Sequence, residues 1–255
     1  EPMTYNGVRM RLGMTYEAYG TYRRDSERLE GVTYIKCEVT DDAQVEAAVR
    51  QVLDAEGRID VFINNAGMGI GGPLEFSSLE DAERQMDVNW MGMVRFLHWV
   101  VPAMRAKKSG RIIAFSSIGG LMGLPYQGLY SASKYAIEGY CEALRLELRG
   151  TGICVTVVEP GDFSTGFTAQ RKSVTGPEVA AAYPGYARSL ASIEHDENTG
   201  LKPDYLAGKI SRIVASKRPP YKKIIATFVQ KLSVWVKAIV PRPVFAWILS
   251  LYYKL

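Results

Sequence analysis

Tyr130 and Lys134 stand four residues apart in "YSASK", at the start of a helix-patterned segment, so they share one helical face. An ammonium beside a phenol favours the phenolate, lowering a pKa normally about 10 and suiting the pair to general acid–base work. Ser117 lies thirteen residues before Tyr130 and closes the apolar run "RIIAFSS", at a sheet edge where substrates bind. Spacing alone does not select this set, because Ser192, Tyr205 and Lys209 repeat the same intervals. No strand leads into Ser192, so that second set reads as solvated polar residues around a helix. Context singles out Ser117, Tyr130 and Lys134.

Gly67, Gly69 and Gly72 in "NNAGMGIGG" have the spacing of a dinucleotide-binding turn. Such a turn works when a strand runs through it straight into a helix whose N-terminal amides face the phosphates. Here Pro73 and the capping-type Ser77 and Ser78 intervene, so the stretch reads as a loop after a strand. Three cysteines (Cys37, Cys141, Cys154) and two histidines (His98, His195) are scattered without metal-ligand spacing. Buried free thiols in a reducing compartment and no metal are the expectation. There is no nucleophile elbow, no P-loop, no visible signal peptide and no uninterrupted apolar run of bilayer-spanning length.

These side chains need a scaffold, and the elements around them alternate. Strands are expected at 17–22, 32–39, 59–64, 111–117, 153–160 and 221–226. Helices are expected at about 41–57, 79–107, 129–149 and 203–216. Strands apolar on both faces and separated by helices predict an α/β fold, a doubly wound, mostly parallel, Rossmann-like sheet with helices on both faces. Ligands then bind at the carboxyl ends of the strands. Residues 162–203 read as a long irregular binding loop or lid. One domain over 1–255 is expected, carrying a C-terminal helical, amphipathic extension at 227–255.

In this order the motifs resemble those of the short-chain dehydrogenase/reductase family, over roughly residues 16–226. Asn64-Asn65-Ala66-Gly67 matches its N-N-A-G loop, which lies beside the cofactor's adenosine. Asn89 in "MDVNWMG" matches the helix asparagine of the proton relay. Ser117, Tyr130 and Lys134 match the catalytic trio, and Pro160-Gly161 with Thr165 match the segment that holds the nicotinamide carboxamide. Singly, Asn89 would be read as a helix kink, Ser117 as a cap and Pro160-Gly161 as a turn. The resemblance implies hydride transfer to a carbonyl, with Tyr130 as proton donor and Ser117 hydrogen-bonding the oxygen. Lys134 would tune Tyr130 and bind the ribose, and Asn89 would hold a water linking Lys134 to solvent.

The family's Thr-Gly-x-x-x-Gly-x-Gly is absent from "EPMTYNGVRMRLGMT", and "VRMRL" carries arginines that a central buried strand would not tolerate. The expectation is that the first strand and glycine loop lie upstream of residue 1. Arg23 and Arg24 follow the second strand, where a basic residue accommodates a 2′-phosphate, so NADP(H) is expected over NAD(H). Glu38 and Val39 fall beside the adenine, and Asn65, Ala66 and Gly67 complete that side.

The substrate is expected to be a lipophilic carbonyl or alcohol, the resemblance being closest to hydroxysteroid- and retinol-dehydrogenase-like members. Met68, Met122, Leu124, Tyr126, Phe163 and Phe167 are the apolar set for its pocket. The alternative is an inactive binding or scaffold protein that keeps the fold. Residues 205–255 hold ten Lys or Arg and no Asp or Glu, leaving the preceding part net negative. Helices at about 228–240 and onward to 253, broken at Pro241-Arg242-Pro243, would lie on an anionic membrane or bury in a subunit contact. A homodimer or homotetramer in the cytoplasm, peripheral on a membrane surface and without nucleic acid, completes the expectation.

Overall fold

Runs of β-branched and aliphatic residues form the strands, and their alternate side chains feed two cores. The computed structural model describes residues 2–5, 8–11, 17–22, 30–253 and 255, the first two segments as backbone only. Strands β1 (Pro2–Tyr5) and β2 (Val8–Arg11) form an antiparallel hairpin. β3 (Ala18–Tyr22) pairs in parallel with β4 (Val32–Lys36), and helix α1 (Asp42–Glu56) follows, capped by the Asp41 carboxylate on the Gln44 amide. β5 (Val61–Asn64) leads through the Gly67 loop to the two-residue β6 (Ile70–Gly71). α2 (Leu79–Met86) starts at the Ser78 cap, and α3 (Gly92–Ala106) continues it through a π-turn at Asp87–Met91.

The strands β7 (Gly110–Phe115) and β8 (Ile153–Pro160) flank α4 (Gly128–Glu147) in sequence. Short β9 (Lys172–Ser173) then pairs with β6, and α5 (Pro177–Ala182), α6 (Tyr186–Asn198) and α7 (Pro203–Ala215) precede β10 (Lys222–Ile225). The segment expected to be irregular thus carries two helices, each starting at a glycine (Gly176, Gly185). The chain closes with α8 (Phe228–Ile239) and α9 (Arg242–Tyr252), split at the expected proline break.

The main sheet runs β10-β8-β7-β5, all parallel. On β7, Ile112 and Ala114 join α1, α3 and α4 in one core, while Ile113 and Phe115 join α7 in the other. This period-2 division makes the sheet doubly wound, and each such buried aliphatic contributes roughly 1.5–3 kcal/mol. Among the described residues β3–β4 forms a separate pair from the main sheet, and the principal cavity passes between Tyr19–Tyr22 on β3 and Val61–Asn64 on β5.

Candidate active site

The cavity, about 1320 Å³, runs from β3 and β5 to the segment 160–168. Ser117, Tyr130 and Lys134 all face it. Ser117 follows β7 and caps a 3₁₀ turn (Ile118–Gly120), its hydroxyl accepting from the Gly119 amide at 3.0 Å. Tyr130 and Lys134 come from the first turns of α4, whose buried face runs Lys134, Ile137, Glu138, Cys141 and Leu144. The Lys134 ammonium donates to the Phe115 carbonyl at 2.9 Å and lies 5.5 Å from the Tyr130 ring centre.

Electrostatics here differ from the expectation that Lys134 would lower the phenol's pKa. Burial pushes Tyr130 up to about 12; its hydrogen bond with Ser117 pulls down, and Glu197 and Asp162 push up. Burial also lowers Lys134 to about 8, with Glu138 opposing. Desolvation is the largest cause of both shifts. At neutral pH the phenol therefore keeps its proton, as an acid must.

Asn89 sits in the π-turn, fully buried, and its amide is committed. Oδ1 accepts from the Met68 amide at 2.8 Å, and Nδ2 donates to the Met68 carbonyl at 3.0 Å and Ser133 Oγ at 2.9 Å. A Cβ on Gly67 would stand 3.6 Å from Asn89 Oδ1 and 3.8 Å from Lys134 Nζ, so this clamp sets the loop directly over the lysine. Gln85 helps, accepting from the Ile70 amide and donating to the Met68 carbonyl. Gln85 was not singled out in the sequence; its only signal was a polar residue on the buried face of a helix.

Of the residues expected to hold cofactor, Glu38, Val39, Asn65, Ala66, Gly67, Pro160, Gly161 and Thr165 line the same cavity. Arg23 and Arg24 lie outside the described residues. Asn64 Nδ2 is buried there without a hydrogen-bond partner, and Lys134 retains donor capacity beyond Phe115. The donor set fits the adenosine and nicotinamide ends of a dinucleotide.

Sequence reading missed a charged cluster against Tyr130. Arg171 pairs with Glu197, which also accepts from Thr168 Oγ1 at 2.8 Å. Phe167 stacks edge-on to Tyr130 at 5.8 Å, and Arg171 lies over the same Phe167 ring. Asp162, beside Pro160-Gly161, is pushed up to about 7 by burial and by Glu197 and Asp196. Partners 26 and more residues apart leave no local signal. The second set is also resolved: Tyr205 is exposed with Lys209 over its ring, away from Tyr130, although Ser192 reaches the cavity wall. Tyr126 adopts φ 60°, unusual for an aromatic residue, with its carbonyl taking the Gly72 amide at 2.7 Å.

A parallel α/β sheet with Ser117, Tyr130 and Lys134 at its carboxyl edge defines a dinucleotide-dependent oxidoreductase. The short chain dehydrogenase family model matches residues 16–175, and the chain belongs to the short-chain dehydrogenase/reductase family. It is 44% identical over 239 residues to a 3-ketodihydrosphingosine reductase of Bacteroides thetaiotaomicron, covering 93% of this chain and 88% of that one. Human retinol dehydrogenase 8 is 34% identical, covering 71% of this chain and 61% of that protein. Human 17-beta-hydroxysteroid dehydrogenase type 1 is 40% identical, covering 56% and 43%; the chain thus spans under two thirds of these last two. A short-chain dehydrogenase crystal structure from Streptomyces avermitilis superposes with TM-score 0.73 at 26% identity, covering 87% of this chain and 84% of that one. The protein is an oxidoreductase acting on carbonyl or alcohol groups with NAD(P), which sets aside the scaffold alternative.

Proposed function

We propose that the protein is an NADP(H)-dependent reductase of a lipophilic ketone, with a long-chain 3-keto sphingoid base as the best-supported substrate. The single observation that carries the chemistry is Ser117, Tyr130 and Lys134 converging on one cavity that Met68, Met122, Leu124, Phe163 and Phe167 also line. The sphingoid assignment draws on the 3-ketodihydrosphingosine reductase relative, which aligns along nearly the whole chain. Steroid or retinoid ketones fit the same lining, and the shorter alignments give them less support.

A bound nicotinamide supplies a hydride to the carbonyl carbon. The chain's own residues manage the charge that then develops on oxygen. Tyr130, protonated at neutral pH, donates its proton to that oxygen, and the Ser117 hydroxyl hydrogen-bonds it. Lys134 would hold the ribose, and its ammonium, 5.5 Å from the Tyr130 ring centre, places positive charge beside the phenol as it loses its proton. Asn89 acts as a positioning residue, fixing the Gly67 loop above Lys134. Arg23 and Arg24 would take the 2′-phosphate, while Glu38 and Val39 would flank the adenine. In this reading the protein works in the cytoplasm or on a membrane surface as a homodimer or homotetramer, over a single domain with its extension at 227–255.

The test is NADPH fluorescence titration of the protein followed by turnover of 3-ketosphinganine beside a steroid ketone, a retinoid aldehyde and a polar sugar. Saturable NADPH binding and preferred reduction of the long-chain amino ketone are expected. Efficient turnover of the sugar alone refutes the lipophilic assignment.

A further inference from the structure

Helix α8 presents Phe228, Leu232, Trp235 and Ile239 at intervals of four, three and four residues, and all are exposed; no residue of α8 is buried. α9 presents Val244, Trp247, Ile248 and Leu251 in the same way. Exposure of 79% for Phe228, 63% for Trp235 and 61% for Trp247 leaves both apolar stripes uncovered among the described residues. Polar tethers hold the pair from beneath. Gln230 Nε2 donates to Asp162 at 2.5 Å, Tyr252 to Asp196 at 2.6 Å, Ser189 to the Tyr253 carbonyl, and Lys237 to Tyr135 at 2.9 Å and the Leu121 carbonyl.

The inner sides of the same helices, through Val236, Phe245 and Leu249, line the active-site cavity. Val229, Leu232, Ile248 and Tyr252 are both cavity-lining and exposed, so the cavity's mouth opens onto this apolar face. Within the two helices the charge has one sign: Lys231 and Arg242 flank the apolar stripes and residues 205–255 contain no acid, while the carboxylates nearby, Asp162 and Asp196, are engaged by Gln230 and Tyr252. A second copy docked on this face would set cations against cations with no carboxylate in the segment to neutralise them. Anionic headgroups are complementary, and tryptophans with flanking cations suit the headgroup boundary. Among the described residues no helix is long and apolar enough to cross a membrane.

We infer that α8 and α9 form a docking face for an anionic bilayer, and that the substrate passes from the lipid between them into the cavity. The docking half stands by itself; the access half rests on the reductase reading.

The test uses the full chain, sedimented with phosphatidylcholine vesicles with or without phosphatidylglycerol, and the double variant Trp235→Glu/Trp247→Glu, which spares every cavity-lining residue. Wild type should pellet with the anionic vesicles at low salt and release at high salt, and the variant's partitioning should fall at least about tenfold. With a long-chain ketone presented in vesicles, turnover by the variant should also fall about tenfold or more, while a short water-soluble ketone is reduced within about twofold of wild type. Wild type remaining in the supernatant overturns docking. A vesicle-free dimer by sedimentation velocity that the double variant dissolves overturns it in favour of self-association. Equal turnover of the vesicle-borne ketone by both forms overturns the access route. If neither ketone is reduced, the reductase reading fails and pelleting still decides docking.

Discussion

Removing the phenolic oxygen from Tyr130 takes away the transferable proton and the hydrogen bond with Ser117, while the ring still packs on Phe167. Tyr130→Phe should cut turnover about 10²–10⁴-fold, the usual worth of a positioned general acid. Its NADPH affinity by fluorescence titration should stay within about twofold. Near-normal turnover would remove Tyr130 from its role. Arg23→Asp places a carboxylate where the 2′-phosphate is expected, so the ratio of kcat/KM for NADPH over NADH should drop about tenfold or more. An unchanged ratio would make Arg23 a surface residue. At this scale the sequence was legible for the trio, because helical spacing and a preceding strand are local facts. The direction of the Tyr130 shift was not legible, since it depends on burial by the fold and on the charges of Glu197 and Asp162 from distant segments.

Elements set how closely those residues meet. Gly120 is a contact point: an added Cβ would stand 2.3 Å from Ser116 Oγ and 3.1 Å from the Lys134 backbone. Gly120→Ala should therefore push α4 off the 3₁₀ turn, costing roughly 1–3 kcal/mol of stability in denaturant titrations and separating Ser117 from Tyr130. A variant as stable and active as the parent would show that the contact yields freely. A second device joins α4, β8 and β10. Lys222 bonds Glu138 at 2.7 Å and lies 3.8 Å from Oε1 of the buried Glu159, and each glutamate keeps one oxygen without a hydrogen bond. Burial pushes Glu159 up to about 7, Glu138 adding and Lys222 opposing. Between its ordinary value of 4.5 and about 7 the native state keeps a proton the unfolded chain has lost, so stability falls as pH rises through that window. Glu159→Gln should flatten this slope in melting curves from pH 5 to 8. At pH 8 it should be the more stable form by on the order of 1–3 kcal/mol; an unaltered slope would assign the pH dependence elsewhere. Strand and helix positions were readable from periodicity to within a few residues. The helices α5 and α6 were not, because short segments with scattered Ala, Tyr and Gly carry no clear apolar stripe.

At the scale of the whole molecule, the doubly wound sheet and the C-terminal helix pair both follow from the chain's pattern, and the tail's proline break falls at Pro241 as its sequence indicates. What periodicity could not show is the order of the strands, β10-β8-β7-β5 in the main sheet, because pairing joins segments distant in sequence. β7 is flanked by β5 and β8 and gives one face to each core. Its amide protons should therefore persist in deuterium exchange to the limit of global unfolding, because no local opening frees them without breaking both ladders. Replacement of β7 amides as fast as those of the exposed helix α8 would contradict it. Ser117 follows directly on this strand, so the hydroxyl at the reacting oxygen hangs from the part of the chain that isotope should reach last.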